Sequence, residues 1–227
     1  MITKLSRTIN YKFLREEVGK CQIYVGYELT HKKILDSGKL NFLSYGFERA
    51  NLRKICKDAG VTTGAFYRHF EDKNELFNAL VDPLVSMIVS NFQNYETFSI
   101  QSIETNQKEN VAKVHVDGTI ETALFLFRNK EIYNLLINCS YGTKYADFLE
   151  QLTNMESNTR IRIQKFSSEK GEVFNEISDK GFHIINHAHF LALTEVVLHS
   201  DNEQELIENA RLVSGFFSAG WKSIRGY

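Results

Sequence analysis

Apolar residues recur at helical spacing along most of the chain. Over residues 31–44, Ile34, Leu35, Gly38 and Phe42 fall on one face, which predicts a first amphipathic helix. Leu52, Ile55 and Cys56 make the apolar side of a short helix to Asp58, with Arg53, Lys54 and Lys57 outside. A turn at Ala59, Gly60 and Val61 follows. Phe66 and Phe70, four apart, predict a second short helix over residues 62–70. A third begins after Asp72 and runs through Leu76, Phe77, Leu80, Leu84, Met87, Ile88 and Phe92. Pro83 lies within it, and a kink is expected there.

Residues 96–108 are polar and read as a loop. Helical patterns resume over 111–128, 131–138, 144–166, 181–199 and from Asp201 and Asn202 to about Ile224, with a loop over 167–171. The 181–199 helix is apolar on most sides. The last carries Leu206, Ala210, Val213, Phe217, Trp221 and Ile224, with Leu212 and Phe216 alongside. Helices apolar all round are buried on more than one side. Leu191, Val197, Leu212, Val213, Phe216, Phe217 and Trp221 are therefore the residues expected to meet a partner subunit.

Punctuation supports this pattern. Pro occurs once and Gly 13 times, which favours an all-α protein. Two short helices joined by a Gly-containing turn outline a helix-turn-helix. Asn51, Thr62 and Asp72 stand at expected N-caps, and Gly46 at a left-handed cap. Gly38 in mid-helix implies a close helix crossing. The expected organisation is an N-terminal extension (1–30), a three-helix DNA-binding domain (31–77) and a larger helical bundle (78–227), joined by the kinked helix. Residues 21–27 have strand-forming types but no pairing partner. The extension reads as a loosely ordered segment, with a basic arm that reaches DNA as the alternative.

Charge adds an asymmetry. The first 80 residues hold 14 Lys+Arg against 9 Asp+Glu, while the whole chain is −1. A basic head on an acidic body is the footprint of a nucleic-acid-binding domain attached to something else. Cys21, Cys56 and Cys139 are odd in number and widely spaced, against a disulfide framework or a Cys-based zinc site. No run of 18 apolar residues suggests a membrane span, and the N-terminus lacks the apolar core of a signal peptide. A cytoplasmic protein with no cofactor is expected.

The 62–70 helix leaves Thr63, Ala65, Tyr67, Arg68 and His69 on its exposed side. Small residues at the N-terminal end let a helix approach base edges, while Tyr, Arg and His reach phosphates. Lys73 opposes the dipole of the helix it begins, and a phosphate contact would account for it.

Gly46-Phe47, Ile55, Ala59-Gly60-Val61, Gly64, Tyr67, His69-Phe70, Lys73 and Leu76 together resemble the DNA-binding head of the TetR family of bacterial regulators. Residues 216–222 are similar to the C-terminal helix of many members. The resemblance implies a homodimer on a palindromic double-stranded operator. A small molecule in the C-terminal body would release the DNA, usually relieving repression. It places Thr63, Ala65 and Tyr67 where the family reads bases, and Asn51, Thr62, Tyr67, His69 and Lys73 where it holds phosphates. Three positions depart from the family pattern. Ala65 stands where Thr is common, Asn51 where Thr usually caps, and Asn41 where Leu is usual.

Other chemistry is weaker. His183 and His187 are spaced to share an ion, but spacing fixes no third Asp, Glu or Cys nearby, so no metal site is expected. Phe92, His115, Phe125, Tyr133, Phe148, His183 and His187 are the candidates for lining a ligand pocket. No nucleophile elbow, metal triad or phosphate loop supports an enzyme. A helix-turn-helix regulator governed by a protein partner remains the alternative, and an enclosed cavity in the body is what separates the two.

Overall fold

The structure, a computed structural model, describes the backbone of residues 2–105, 109–171, 175 and 177–225. Side chains are described for 26–98, 100–102, 104–105, 117–171, 175 and 177–224. The described residues form nine helices and no strand: α1 (Ile2–Arg49), α2 (Leu52–Asp58), α3 (Thr63–Phe66), α4 (Lys73–Glu104), α5 (Glu109–Arg128), α6 (Lys130–Asn138), α7 (Phe148–Glu169), α8 (Asp179–His199) and α9 (Glu203–Arg225). The all-α expectation is borne out. The chain packs as two units, a head (Met1–Tyr45 with Arg49–Leu80) and a body (Gly46–Glu48 with Val81–Tyr227).

The head closes around Ile34, Phe42, Ile55, Phe66, Leu76 and Phe77, none of which is exposed at all. Each such side chain contributes roughly 1.5–3 kcal/mol by leaving water. Phe42 meets Phe77 edge to face at 5.2 Å. The Ser37 hydroxyl donates to the Ile55 carbonyl at 2.8 Å, so a buried polar group is satisfied where α1 crosses α2. Gly38 makes the crossing with α4 possible, because a Cβ there would stand 2.7 Å from Leu76 Cδ2.

In the body, α5 packs on α9 and α8, and α8 packs on α7 and α9. Arg128 holds Glu203 through two bonds of 2.8 and 3.1 Å, joining α5 to the start of α9. Lys130 Nζ donates to the Ser200 carbonyl at 2.9 Å, covering the open C-terminal end of α8. Phe182 packs on Trp221 at 4.9 Å, with the Arg160 guanidinium 3.8 Å from the Phe182 ring centre.

Several boundaries differ from expectation. Helix α1 begins at Ile2, not at His31, and residues 21–27 are helical. No Pro interrupts residues 2–45, and Tyr27 and His31, one turn apart, pack on the head rather than leaving it. Gly46 breaks α1 with φ 72° and ψ 161°. That is a conformation essentially restricted to Gly, but it is not the left-handed helical cap predicted. Helix α4 continues through Pro83 to Glu104, where a loop was expected from Glu96. Glu96 is instead engaged by Arg162 and Thr159 of α7. Helix α7 begins at Phe148 rather than Lys144, since residues 140–147 form turns around Gly142 (φ 88°). It then runs to Glu169, through part of the predicted loop.

Candidate nucleic-acid interface and body cavity

The head builds its exposed edge from three capped helix starts. Asn51 Oδ1 accepts from the backbone N–H groups of Arg53 (2.9 Å) and Lys54 (3.3 Å), which leaves its amide N–H groups for an outside acceptor. Thr62 Oγ1 accepts from Ala65 N at 3.1 Å. Asp72 Oδ1 accepts from Glu75 N at 2.8 Å, while the Glu75 carboxylate reaches back to the Glu71 N–H in the manner of a capping box. Gly60 supplies the turn with φ 68°.

Helix α3 is one turn long, shorter than the 62–70 helix expected. Residues 67–69 continue as turns, with Arg68 N bonding Ala65 O and His69 N bonding Phe66 O. Phe66 and Phe70 are buried, as their spacing predicts. Thr62, Thr63, Gly64, Tyr67 and Arg68 are exposed and Ala65 is half-buried. A Cβ on Gly64 would meet only Thr62 Oγ1 at 3.9 Å, so the packing of the head does not require glycine there.

Two residues expected on phosphates have partners inside the head. Lys73 Nζ donates to the Ala50 carbonyl at 3.1 Å, just before the Asn51 cap. That bond accounts for a cation at a helix N-terminus without any outside ligand. His69 sits in a ring cluster, 4.1 Å from Tyr27 and 5.5 Å from His31 between centroids. Burial first, then neighbouring His31, hold its imidazole below the usual histidine value. Tyr27 and His31 were not singled out from the sequence; their i, i+4 spacing was the available signal.

The body contains a cavity of about 570 Å³ among α4, α5, α6, α7 and α8. Phe92, Phe125 and Tyr133 line it, together with Asn91, Asn186, His189 and Phe190. The Tyr133 hydroxyl is 2.7 Å from Thr194 Oγ1, and burial pushes its pKa up to about 12, so it stays protonated. Asn186 is 4% exposed, and its Nδ2 has no hydrogen-bond partner among the described residues. Phe148, His183 and His187, expected at a pocket, lie elsewhere. Phe148 is buried against Tyr145. The two histidines face Glu150 of α7, at 3.5 and 3.6 Å. The fold therefore supplies the third ligand, a carboxylate, that spacing alone did not. The side chain of His115 lies outside the described residues.

The residues expected at a subunit interface divide. Leu191, Leu212 and Phe216 are exposed, with Phe216 at 73%. Val197 is 1% exposed and belongs to the core of the body, a correction to its expected place. Phe217 stacks on His189 at 4.5 Å and Trp221 on Phe182, so both turn inward, and Val213 is half-buried. No described helix is long and apolar enough to cross a membrane.

Residues 34–80 match the family profile described as bacterial regulatory proteins, tetR family. The chain is 28% identical over 158 residues to the HTH-type transcriptional repressor BepR of Brucella suis, spanning 66% of this chain and 71% of that protein. In fold it is similar to NalD of Pseudomonas aeruginosa, titled the secondary repressor of the MexAB-OprM multidrug efflux pump. That match has a TM-score of 0.54 and 18% identity over 85% of this chain and 95% of that one. It is also similar to SmeT, solved as a complex with triclosan, with a TM-score of 0.53 and 22% identity over 84% and 90% of the two chains.

Proposed function

We propose that the chain, whose residues 34–80 match the tetR-family profile, is a homodimeric helix-turn-helix repressor of that family, released from a palindromic operator by a neutral, largely apolar small molecule. The observation that carries the DNA-binding reading is the exposed start of α3. Thr63, Gly64, Ala65 and Tyr67 present small residues flanked by an aromatic hydroxyl, and the packing of the head does not require glycine at position 64. Thr63, Ala65 and Tyr67 read bases in this proposal, and Asn51, Thr62 and Tyr67 hold phosphates, with His69 and Lys73 behind them. With only a methyl at Ala65, contact with a thymine methyl replaces a hydroxyl bond.

The body cavity supports the effector. Its size suits a small molecule and its walls are mainly apolar and aromatic. Asn186 Nδ2 is a buried donor with no acceptor among the described residues, and the protonated Tyr133 disfavours a cation that would need a phenolate. The exposed apolar positions of α8 and α9 support the dimer: Ile184, Ala188 and Leu191 at i, i+4 and i+7, beside Leu212 and Phe216.

Selection of bound duplexes from random DNA with the full chain is the test, followed by a release screen with neutral apolar compounds. A two-fold symmetric consensus and release by compounds carrying a hydrogen-bond acceptor are expected. An enriched site without symmetry would remove the dimer reading. Release by no compound of this class would favour control by a protein partner.

A further inference from the structure

Helices α7 and α8 bring together three groups that neither helix holds alone. His183 and His187 stand one turn apart on α8, their rings 6.1 Å apart and near parallel at 21°. Glu150 of α7 lies opposite. Its Oε2 is 3.5 Å from His183 Nε2 and 3.6 Å from His187 Nδ1, and one ligand atom from each residue lies within 4.8 Å of the others. These separations are too long for N–H···O hydrogen bonds, which cluster near 2.9 Å. The two Glu150–histidine separations are close to the edge of a tetrahedron built on metal–ligand bonds of about 2.0–2.1 Å, which is roughly 3.3 Å.

We propose that Glu150, His183 and His187 form a binding site for a borderline divalent transition metal of the zinc class. Two imidazoles and one carboxylate suit that class, whereas magnesium and calcium take oxygen-rich sites. The three side chains are between a third and a half exposed, so water completes the coordination and the ion enters directly from solvent. A neighbour already orients the carboxylate. Asn154 Nδ2 lies 3.4 Å from Glu150 Oε1, the oxygen not facing the histidines. Thr153 Oγ1 lies 3.3 Å from His187 Nδ1, the nitrogen that faces Glu150, so binding an ion there takes Nδ1 in its unprotonated form and replaces that contact. Thr153 is itself fixed, donating to the Leu149 carbonyl at 2.8 Å.

The site also has a structural consequence. Leu149 and Leu152 of α7 and Asn186 and Phe190 of α8 line the body cavity. An ion held by Glu150, His183 and His187 ties together the same two helices that supply those walls. The site stands on its own residues and does not depend on the DNA-binding or effector reading.

The test is calorimetric titration of the untagged full-length chain with Zn²⁺, alongside Co²⁺ titration followed by visible absorption and a Mg²⁺ control. One Zn²⁺ per chain is expected, with visible bands of low-coordinate Co²⁺ and no Mg²⁺ binding. The double variant His183→Gln/His187→Gln should lose the site, and Glu150→Gln should bind at least about tenfold more weakly. His199→Gln, altering a histidine paired with Glu195 elsewhere on α8, should bind as the parent does. Zn²⁺ should raise the melting temperature of the parent and not of the double variant. All three positions are partly exposed, and far-UV circular dichroism checks that each variant is folded. No Zn²⁺ binding by the parent, or binding undiminished in the double variant, would overturn the site.

Discussion

Asn41 Nδ2 donates to Asp58 Oδ2 at 3.1 Å, joining a buried position of α1 to the last residue of α2. The same amide donates to the Ser37 carbonyl at 3.0 Å. An aspartate at a helix C-terminus is opposed by the helix dipole. Asn41 and then Lys54, 2.9 Å from the same oxygen, compensate by hydrogen bonds and hold the Asp58 carboxyl below its usual range. The departure from leucine at position 41 is thus matched by a carboxylate that needs it.

Asn41→Leu should raise the Asp58 pKa toward the ordinary aspartate value, measured by carboxyl NMR during a pH titration. The sign for stability follows. A depressed carboxyl contributes stability above its unfolded value of about 3.9 and loses it as pH falls through the folded value. The variant should lose less stability on acidification across that window than the parent. An unmoved Asp58 would mean that Lys54 alone holds it.

Gly38→Ala should destabilise the head although alanine is the better helix former. The helical gain is about 1 kcal/mol. The added methyl would stand 2.7 Å from Leu76 Cδ2 and 3.1 Å from its Cγ, and Leu76 is fully buried. Overpacking of this kind costs about 1–3 kcal/mol. Thermal melts should show a net loss for Gly38→Ala alone. In a Leu76→Ala background the same change should become stabilising, the coupling expected of residues in direct contact.

Much of this was legible because local signals report local structure. Asn51, Thr62, Gly60 and Asp72 mark the head helices by cap and turn chemistry, and Asn202 caps α9 as expected, accepting from Glu205 N at 3.0 Å. Gly38 announced a close approach, and Leu76 is its partner. Pairing across helices was not legible. Glu150 meets His183 and His187 only because α7 packs on α8, and Tyr27 reaches His69 across 42 positions of sequence. Glu96 looked like the start of a polar loop because its partner, Arg162, is supplied by another helix. The buried donor of Asn186 carries no sequence signature, since an asparagine on an apolar helix looks the same with or without a partner.

Acidification should strengthen operator binding through His69. Burial and His31 keep the ring neutral in the free protein, with Arg68 adding to that and Glu28 opposing it. The unfolded chain takes its proton first as pH falls below about 6.5, so the head loses stability from there down through the folded value. A phosphate beside the ring favours the charged form, so operator binding takes up a proton and affinity rises as pH falls through the same range. Fluorescence anisotropy from pH 7.5 to 6 should show that rise in the parent and a flatter profile in His69→Gln. Equal slopes would place the phosphate elsewhere.

Lys73→Ala separates two roles of one ammonium. The bond from Lys73 Nζ to the Ala50 carbonyl holds the chain just before the Asn51 cap. Losing a hydrogen bond from a charged donor costs about 1.5–3 kcal/mol, less where water replaces it. A lower melting temperature is therefore expected in any case. If Lys73 also neutralises a phosphate, the salt dependence of operator binding should fall by about one unit. A lowered melting temperature with an unchanged salt slope would make Lys73 purely a support for Asn51.

Substitutions on α8 and α9 should divide by the side of the helix they occupy. Leu212 and Phe216 are 72% and 73% exposed, four apart on one face, and leaving two large apolar groups in water is unfavourable without a partner. Leu212→Arg/Phe216→Arg should turn a dimer into a folded monomer, read by sedimentation velocity, with the melting profile of the subunit core retained. Operator binding should weaken sharply, because each half-site then binds alone. Val197→Ala should do the opposite. It opens a void among buried residues and costs about 1–3 kcal/mol of stability, while the dimer, where folded, persists. A chain already monomeric before substitution would remove the interface from α8 and α9 and leave Leu212 and Phe216 without an assigned role.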